Sequence, residues 1–83
     1  MGMKSIWDGV DLPPVGCEVL IHLARPGVWV RHVVTGHKVR PGNKDERWLY
    51  VVDVVVGPSD DPRSHKNERF LSDCKPLDWR EPA

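Results

Sequence analysis

The segment CEVLIHLA at residues 17–24, followed by Pro26 and Gly27, decides the fold class. Its apolar side chains fall at the odd positions, and its even positions are mostly polar or small. A period of two is typical of a β-strand with one face on a core and the other toward solvent. The Pro-Gly pair fits a type II turn, because proline fixes a negative φ and glycine permits a positive one. The segment therefore predicts a β-strand that turns into an antiparallel hairpin.

The rest of the chain repeats this pattern of short β-type runs between turn signals. Proline and glycine recur at short intervals and leave little room for helices. The run that follows the turn loses its alternation at Thr35 and Gly36, which predicts two short strands, 28–34 and 37–40, with a bulge or bend between them. Further strands are predicted at 48–56 and 69–74. We predict an all-β fold, a small barrel of four or five antiparallel strands.

The strand predicted at 48–56 is apolar on both faces, and only Asp53 carries charge. Such a strand needs cover on both sides, so the barrel interior is expected on one side and a partner subunit on the other. The alternative cover is the C-terminal tail with Leu77 and Trp79. Asp53 is expected to pair with an arginine or histidine, to contact a ligand or partner, or to lie at an exposed edge, because burying an unpaired carboxylate costs several kcal/mol.

Length and composition limit the possible organisation. A chain of 83 residues holds one core, so we predict one domain over 1–83, with an extended arm at 1–15, a mobile loop at 57–68 and a C-terminal tail at 76–83. Twelve basic residues balance twelve acidic ones, so no global charge draws the chain to nucleic acid or membrane. No stretch resembles a signal peptide or a membrane span, and a cytoplasmic location is expected. Cys17 and Cys74 are either two buried thiols or a bridge between the first and last strands.

Two features of the residue order resemble known proteins. The segment WDGVDLPPVG at residues 7–16 resembles the opening of small orphan proteins of tailed bacteriophages. The leading LPPVGCEV, a Trp-bearing second strand, a Val-rich third strand and a late Phe followed by KPL are similar in layout to SH3-like small barrels. The phage resemblance implies a host-takeover or anti-defence factor that acts in the host cytoplasm by binding a host protein or capturing a signalling nucleotide. It assigns a role to no individual residue.

The sequence contains no strong catalytic or metal-binding pattern. Ser64 and His65 are adjacent but fall in the predicted loop, where a nucleophile and a base are poorly held. His32 and His37 have a spacing near that of zinc ligands but lack a cysteine pair. Neither a phosphate-binding loop nor a dinucleotide fingerprint is present. We predict a non-enzymatic binding protein without a cofactor or metal.

Two kinds of partner fit the candidate binding residues. Aromatic and valine-rich surface favours inhibition of a host protein, because tryptophan, tyrosine and arginine are frequent interface anchors. Basic side chains beside tryptophans favour the alternative, sequestration of a nucleotide or short nucleic acid by ion pairing and base stacking. A solvated face balanced by nearby acids would also explain the basic residues. The candidate binding residues are Trp29, Arg31, His37, Lys38, Arg40, Trp48, Tyr50 and Asp53.

Overall fold

The computed structural model describes residues 7–23, 27–42 and 50–80. Its strands are β1 (Glu18–His22), β2 (Trp29–Pro41), β3 (Tyr50–Pro58), β4 (Asn67–Phe70) and β5 (Cys74–Lys75), with a single 3₁₀ turn, η1 (Leu71–Asp73), before β5. The predicted all-β class is confirmed. Within the described ranges, no helix has the length and apolar character needed to cross a membrane.

The strands form one antiparallel sheet in the order β4-β3-β2-β1-β5. β4 and β5 lie at opposite edges of this sheet, yet only the three residues of η1 connect them. A 3₁₀ turn advances about 2 Å per residue, so the two edges must lie close together. The side chain of Arg69 on β4 bridges the same gap, since its Nη2 donates to the carbonyl of His22 on β1 at 3.4 Å. The sheet is therefore curled into a small all-β barrel-like fold of five antiparallel strands, as predicted.

β2 is one continuous strand, so the prediction of two separate strands is wrong in number. The interruption lies where it was predicted: Val34 pairs with Val56, Gly36 pairs with Val55, and Thr35 is the extra residue of a bulge. A bulge shifts the side-chain phase without ending the hydrogen-bonded ladder, which is why the strand continues to Pro41. After the bulge, the inward-facing positions begin again at His37, which pairs with the core residue Val54.

The last predicted strand, 69–74, is also corrected. β4 begins earlier, at Asn67, and ends at Phe70, and the chain then turns through η1 into β5. The physical reason is that this segment pairs with β3 at one edge of the sheet and with β1 at the other edge. One straight strand cannot make both pairings, so the chain has to turn between them. At the other end, β3 continues through Gly57 and Pro58, so the loop between β3 and β4 covers 59–66.

The core lies between β1, the first half of β2 and the second half of β3. It also takes in Trp7 of the N-terminal arm, whose indole Nε1–H donates to the carbonyl of Asp11 at 2.7 Å. The buried ring of Trp7 thus helps to attach the arm to the barrel. The buried core residues are Trp7, Cys17, Val19, Ile21, Val34, Val54, Val56 and Cys74.

Cys17 and Cys74 are free, buried thiols and do not form the disulfide bridge that was the other alternative. Cys74 pairs with Ile21, which lies further along β1 from Cys17 by roughly 13 Å at the usual strand rise. A disulfide requires Cα atoms within about 7 Å of each other. Burial raises the pKa of the Cys74 thiol to about 11, and it raises the pKa of Cys17 as well. Both sulfurs therefore behave as small apolar groups.

Candidate functional site

Three neighbouring strands bring a row of side chains to the outside of the barrel. Lys38 on β2 pairs with Asp53 on β3, and Asp53 pairs with Phe70 on β4. Residues directly opposite in antiparallel strands project from the same face. Arg40 and Glu68 reach the same surface through ion pairs across these strands. We call the surface formed by Lys38, Arg40, Asp53, Glu68 and Phe70 the β2–β4 outer face.

Ion pairs hold the charged side chains of this face in place. The Nε of Arg40 donates to the Oδ2 of the buried Asp53 at 2.7 Å. The Nζ of Lys38 lies 3.3 Å from the Oε1 of Glu68. The expectation of an arginine partner for Asp53 is thus confirmed, while Asp53 Oδ1 is buried without a hydrogen-bond partner. The Arg40–Asp53 ion pair is the shorter and more buried of the two, and the Lys38–Glu68 pair is the more exposed.

Phe70 is the apolar centre of this face. Its side chain is 51% exposed although it belongs to a strand. The guanidinium of Arg40 lies over the ring, with its carbon 5.2 Å from the ring centroid. This distance is within the range of a cation–π contact. The arginine that neutralises Asp53 therefore also fixes one side of the exposed ring.

The sequence-based prediction missed Phe70 and Glu68. A usable signal was present, because β4 is only four residues long and three of them are polar, as is usual for an edge strand. An aromatic residue in such a strand has few neighbours to pack against on its outer side. Glu68 could not have been assigned to Lys38, which is 30 residues away in the sequence.

Trp29 lies elsewhere, on the outer side of β1 and β2. Its ring packs against His22, with centroids 4.8 Å apart, and against Trp79, with centroids 4.6 Å apart. A turn in the C-terminal tail, closed by the Trp79 amide and the Pro76 carbonyl, brings Trp79 to this position. The Nζ of Lys75 lies 5.7 Å from the centre of the Trp79 ring. Trp79 therefore packs on Trp29, which precedes the residues of β2 that pair with β3, and does not take the place on β3 that was suggested for it.

The other predicted residues do not join the β2–β4 outer face. Arg31 forms ion pairs with Glu18 at 3.6 Å and Asp60 at 2.5 Å. The Nε2 of His37 donates to the carbonyl of Pro13 at 2.7 Å and ties the N-terminal arm to β2. Among the members of the predicted set that the structure describes, Lys38, Arg40 and Asp53 are the ones that it brings together.

Tyr50 is 67% exposed and pairs with Pro41 near the far end of β2 and β3. The strand alternation places it on the opposite side of the sheet from Asp53. Trp48 lies outside the described residues. On the inward side, the far end of the two strands is therefore exposed at Tyr50 and Val39, whereas Arg40 and Asp53 lie on the other side of the sheet.

The loop at 59–66 is organised by hydroxyl groups. The Oγ of Ser64 accepts from the backbone N–H of Ser59 at 2.7 Å and donates to the carbonyl of Asp61 at 2.5 Å. The Oγ of Ser59 donates to the carbonyl of Arg31 at 2.6 Å and fixes the loop to β2. Ser64 is thus engaged in shaping the loop, although His65 follows it directly in the sequence.

His32 is buried beneath this loop. Its Nδ1 donates to the carbonyl of Val30 at 3.0 Å, and the ring of His65 contacts it edge-on at a centroid distance of 5.6 Å. Burial lowers the pKa of His32, and the nearby His65 and Arg69 lower it further. No cluster of three or more potential metal ligands occurs among the residues that the structure describes.

No protein-family model matches the chain, and neither a curated protein nor a solved structure matches it.

Proposed function

We propose that this chain is a non-enzymatic protein-binding domain and that the β2–β4 outer face is its recognition surface. The observation that carries the proposal is the exposed ring of Phe70 held beside the Arg40–Asp53 ion pair. Following the phage resemblance of residues 7–16, the proposed partner is a host protein, which binding would inhibit in the host cytoplasm.

The energetics of this face suit a protein partner. Full burial of a phenylalanine side chain contributes about 1.5–3 kcal/mol, so covering the exposed half of Phe70 contributes roughly 1 kcal/mol. Aromatic residues and arginine are enriched in interface cores, and charged side chains typically form the rim. Because Asp53 already fixes Arg40, binding has to order fewer side chains, which lowers its entropic cost.

The same contacts argue against nucleotide binding by the predicted residues. Arg31, Lys38 and Arg40 each pair with a carboxylate of the chain itself. A phosphate would have to displace a carboxylate that is already in place, and Trp29 is covered by Trp79 instead of being free to stack on a base. These basic side chains are better explained as part of a charged surface on which each basic group is neutralised by a nearby carboxylate.

The proposal is tested by comparing proteins captured from host lysate by three immobilised forms: wild type, Phe70→Ala and Tyr50→Ala. Tyr50 is the matched control, because it is also an exposed aromatic residue and lies on the other side of the sheet. We expect a protein that wild type and Tyr50→Ala both retain and that Phe70→Ala loses, although all three forms give the same circular dichroism. The assignment of this face would be overturned if Phe70→Ala retained the same proteins as wild type, or if Tyr50→Ala alone lost the retained protein.

A further inference from the structure

The N-terminal arm exposes a large share of the apolar side chains at the surface. Among the residues that the structure describes, six large hydrophobic side chains are exposed, and three of them lie within residues 7–15: Val10, Leu12 and Val15. Val10 is the most exposed of the six, at 75%. Apolar side chains that are exposed singly need no explanation, but a group of them within one short segment marks a contact surface. The arm is therefore a second candidate surface, and it shares no residue with the β2–β4 outer face.

The segment that carries Val10 is anchored on both sides, and we call residues 7–12 the arm loop. The buried ring of Trp7 begins it, and the indole Nε1–H donates to the carbonyl of Asp11, four residues further along the chain, at 2.7 Å. Inside the loop, the backbone N–H of Val10 donates to the Oδ1 of Asp8 at 2.9 Å. Directly after the loop, the side chain of Pro13 is fully buried. Because these contacts already hold the loop, a partner has to order fewer groups when it binds Val10.

The charge of the arm loop is negative. Its charged residues are Asp8 and Asp11, and both are exposed. Within 7–23, 27–42 and 50–80 neither carboxylate forms an ion pair, whereas Asp53, Asp61 and Glu68 each do. Two uncompensated carboxylates repel the phosphates of nucleic acids and of anionic lipids, and they attract lysine and arginine side chains. The charge therefore favours a protein partner with a basic surface.

We propose that the arm loop is a second protein-docking element, and that its partner is a protein with an apolar pocket bordered by lysine or arginine side chains. Val10 enters this pocket, and the carboxylates of Asp8 and Asp11 lie against its basic border. An apolar centre with a polar rim is usual in protein interfaces. Burial of Val10 supplies affinity, and the opposite charges orient and accelerate association. This inference goes beyond the proposed function and does not depend on the β2–β4 outer face.

The test compares four immobilised forms of the full chain in a capture from host lysate: wild type, Val10→Ser, Val39→Ser and the double variant Asp8→Asn/Asp11→Asn. Val39→Ser is the matched control, because Val39 is an exposed valine outside the arm. Asparagine keeps a side-chain oxygen that can accept from the Val10 N–H but carries no charge. The double variant therefore removes the charge of the loop and keeps its internal hydrogen bond.

A captured protein supports the proposal only through its pattern across these forms. We expect a protein that wild type and Val39→Ser retain and that Val10→Ser and the double variant retain in smaller amounts. With that protein purified, Val10→Ser should weaken binding by roughly five- to ten-fold, as loss of a buried aliphatic contact does. The double variant should weaken binding by roughly three-fold or more in about 50 mM sodium chloride and by less in about 0.5 M, because salt screens exposed charges.

The proposal is overturned if no protein shows this pattern, or if Val39→Ser weakens binding as much as Val10→Ser does. It is also overturned if the double variant binds like wild type at both salt concentrations, since the partner would then have no basic border. Phe70→Ala separates this inference from the proposed function. A protein that Val10→Ser loses and Phe70→Ala keeps would support the arm loop alone. If wild type retained only proteins that Phe70→Ala loses and Val10→Ser keeps, the β2–β4 outer face would stand and the arm loop would be excluded.

Discussion

The valines of β2 and β3 look alike in the sequence but contribute very differently to stability. Val54 is 0% exposed in the core, whereas Val39, which also projects from the inward side of the sheet beyond the bulge, is 63% exposed. Val54→Ala removes two buried carbon atoms, which costs about 1.5 kcal/mol at about 0.8 kcal/mol per group. The cavity left behind raises the total to about 2–3 kcal/mol. Val39→Ala should change the free energy of unfolding by less than about 0.5 kcal/mol.

Urea denaturation followed by tryptophan fluorescence measures this difference. A domain of 83 residues is expected to have a free energy of unfolding of about 4–12 kcal/mol, so the loss in Val54→Ala is a large fraction of it. With a slope of about 1 kcal/mol per molar urea, the midpoint should fall by roughly 2–3 M. Val39→Ala is the matched control and should unfold at the wild-type midpoint.

If Val39→Ala lowered the free energy of unfolding as much as Val54→Ala does, this reasoning would be refuted, because Val39 would then be buried in solution. Such burial would be expected only if a second copy of the chain covered the far end of β2 and β3. The proposed self-association would in that case appear as a midpoint that rises with protein concentration. If the urea midpoint did not depend on protein concentration and Val39→Ala unfolded at the wild-type midpoint, this end of the molecule would be excluded as a dimer interface.

Two further predictions concern the buried histidine and a tight contact at the bulge. Because the pKa of His32 is lowered in the folded state, its contribution to stability is fully present above the ordinary histidine pKa of about 6.5 and is lost as pH falls below that value. The urea midpoint should therefore fall more steeply between about pH 7 and pH 5 in wild type than in His32→Gln, and equal slopes would contradict the role of His32. A Cβ at Gly57 would lie 3.1 Å from the Cγ2 of Thr35, which is a tight contact. Thr35→Ser removes that methyl group, so Gly57→Ala should destabilise the Thr35→Ser protein by about 0.5–1 kcal/mol less than it destabilises wild type. A double-mutant cycle measures this coupling, and strictly additive effects would argue against the contact.

The parts of the fold that local chemistry determines were predictable from the sequence. β1 follows from its alternation, and the turn at Gly27 has the positive φ that the Pro-Gly pair predicts. The bulge at Thr35 was located because its glycine neighbour breaks the alternation, which is a local signal. The continuity of β2 past the bulge was not predictable, since it depends on a long pairing with β3.

The candidate site was predicted only in part, for a related reason. Asp53 stands out in a valine strand, and a paired partner follows from the cost of burying its charge. The identity of that partner, Arg40, and the exposure of Phe70 depend on the register between three strands. Register is a non-local property, because neighbouring alignments differ by one residue and reverse every side chain. The loop was predicted to be mobile because it lacks apolar residues, and that criterion gives no sign of hydrogen bonds. The contacts of the Ser59 and Ser64 hydroxyl groups were therefore not predicted.

The bulge at Thr35 has a consequence for how this chain could vary or be engineered. Removing Thr35 alone would keep every pair between β2 and β3, because Thr35 has no partner and its neighbours Val34 and Gly36 already pair with consecutive residues of β3. Lys38 and Arg40 would stay on the outer side, and β2 would alternate with a single phase along its whole length. Deleting His37 would have the opposite effect: if the pairing of the first half were kept, Lys38 and Arg40 would turn inward and Val39 would turn outward. The bulge is therefore a position at which β2 can lose a residue and keep its outer surface, whereas a deletion further along the strand would invert that surface.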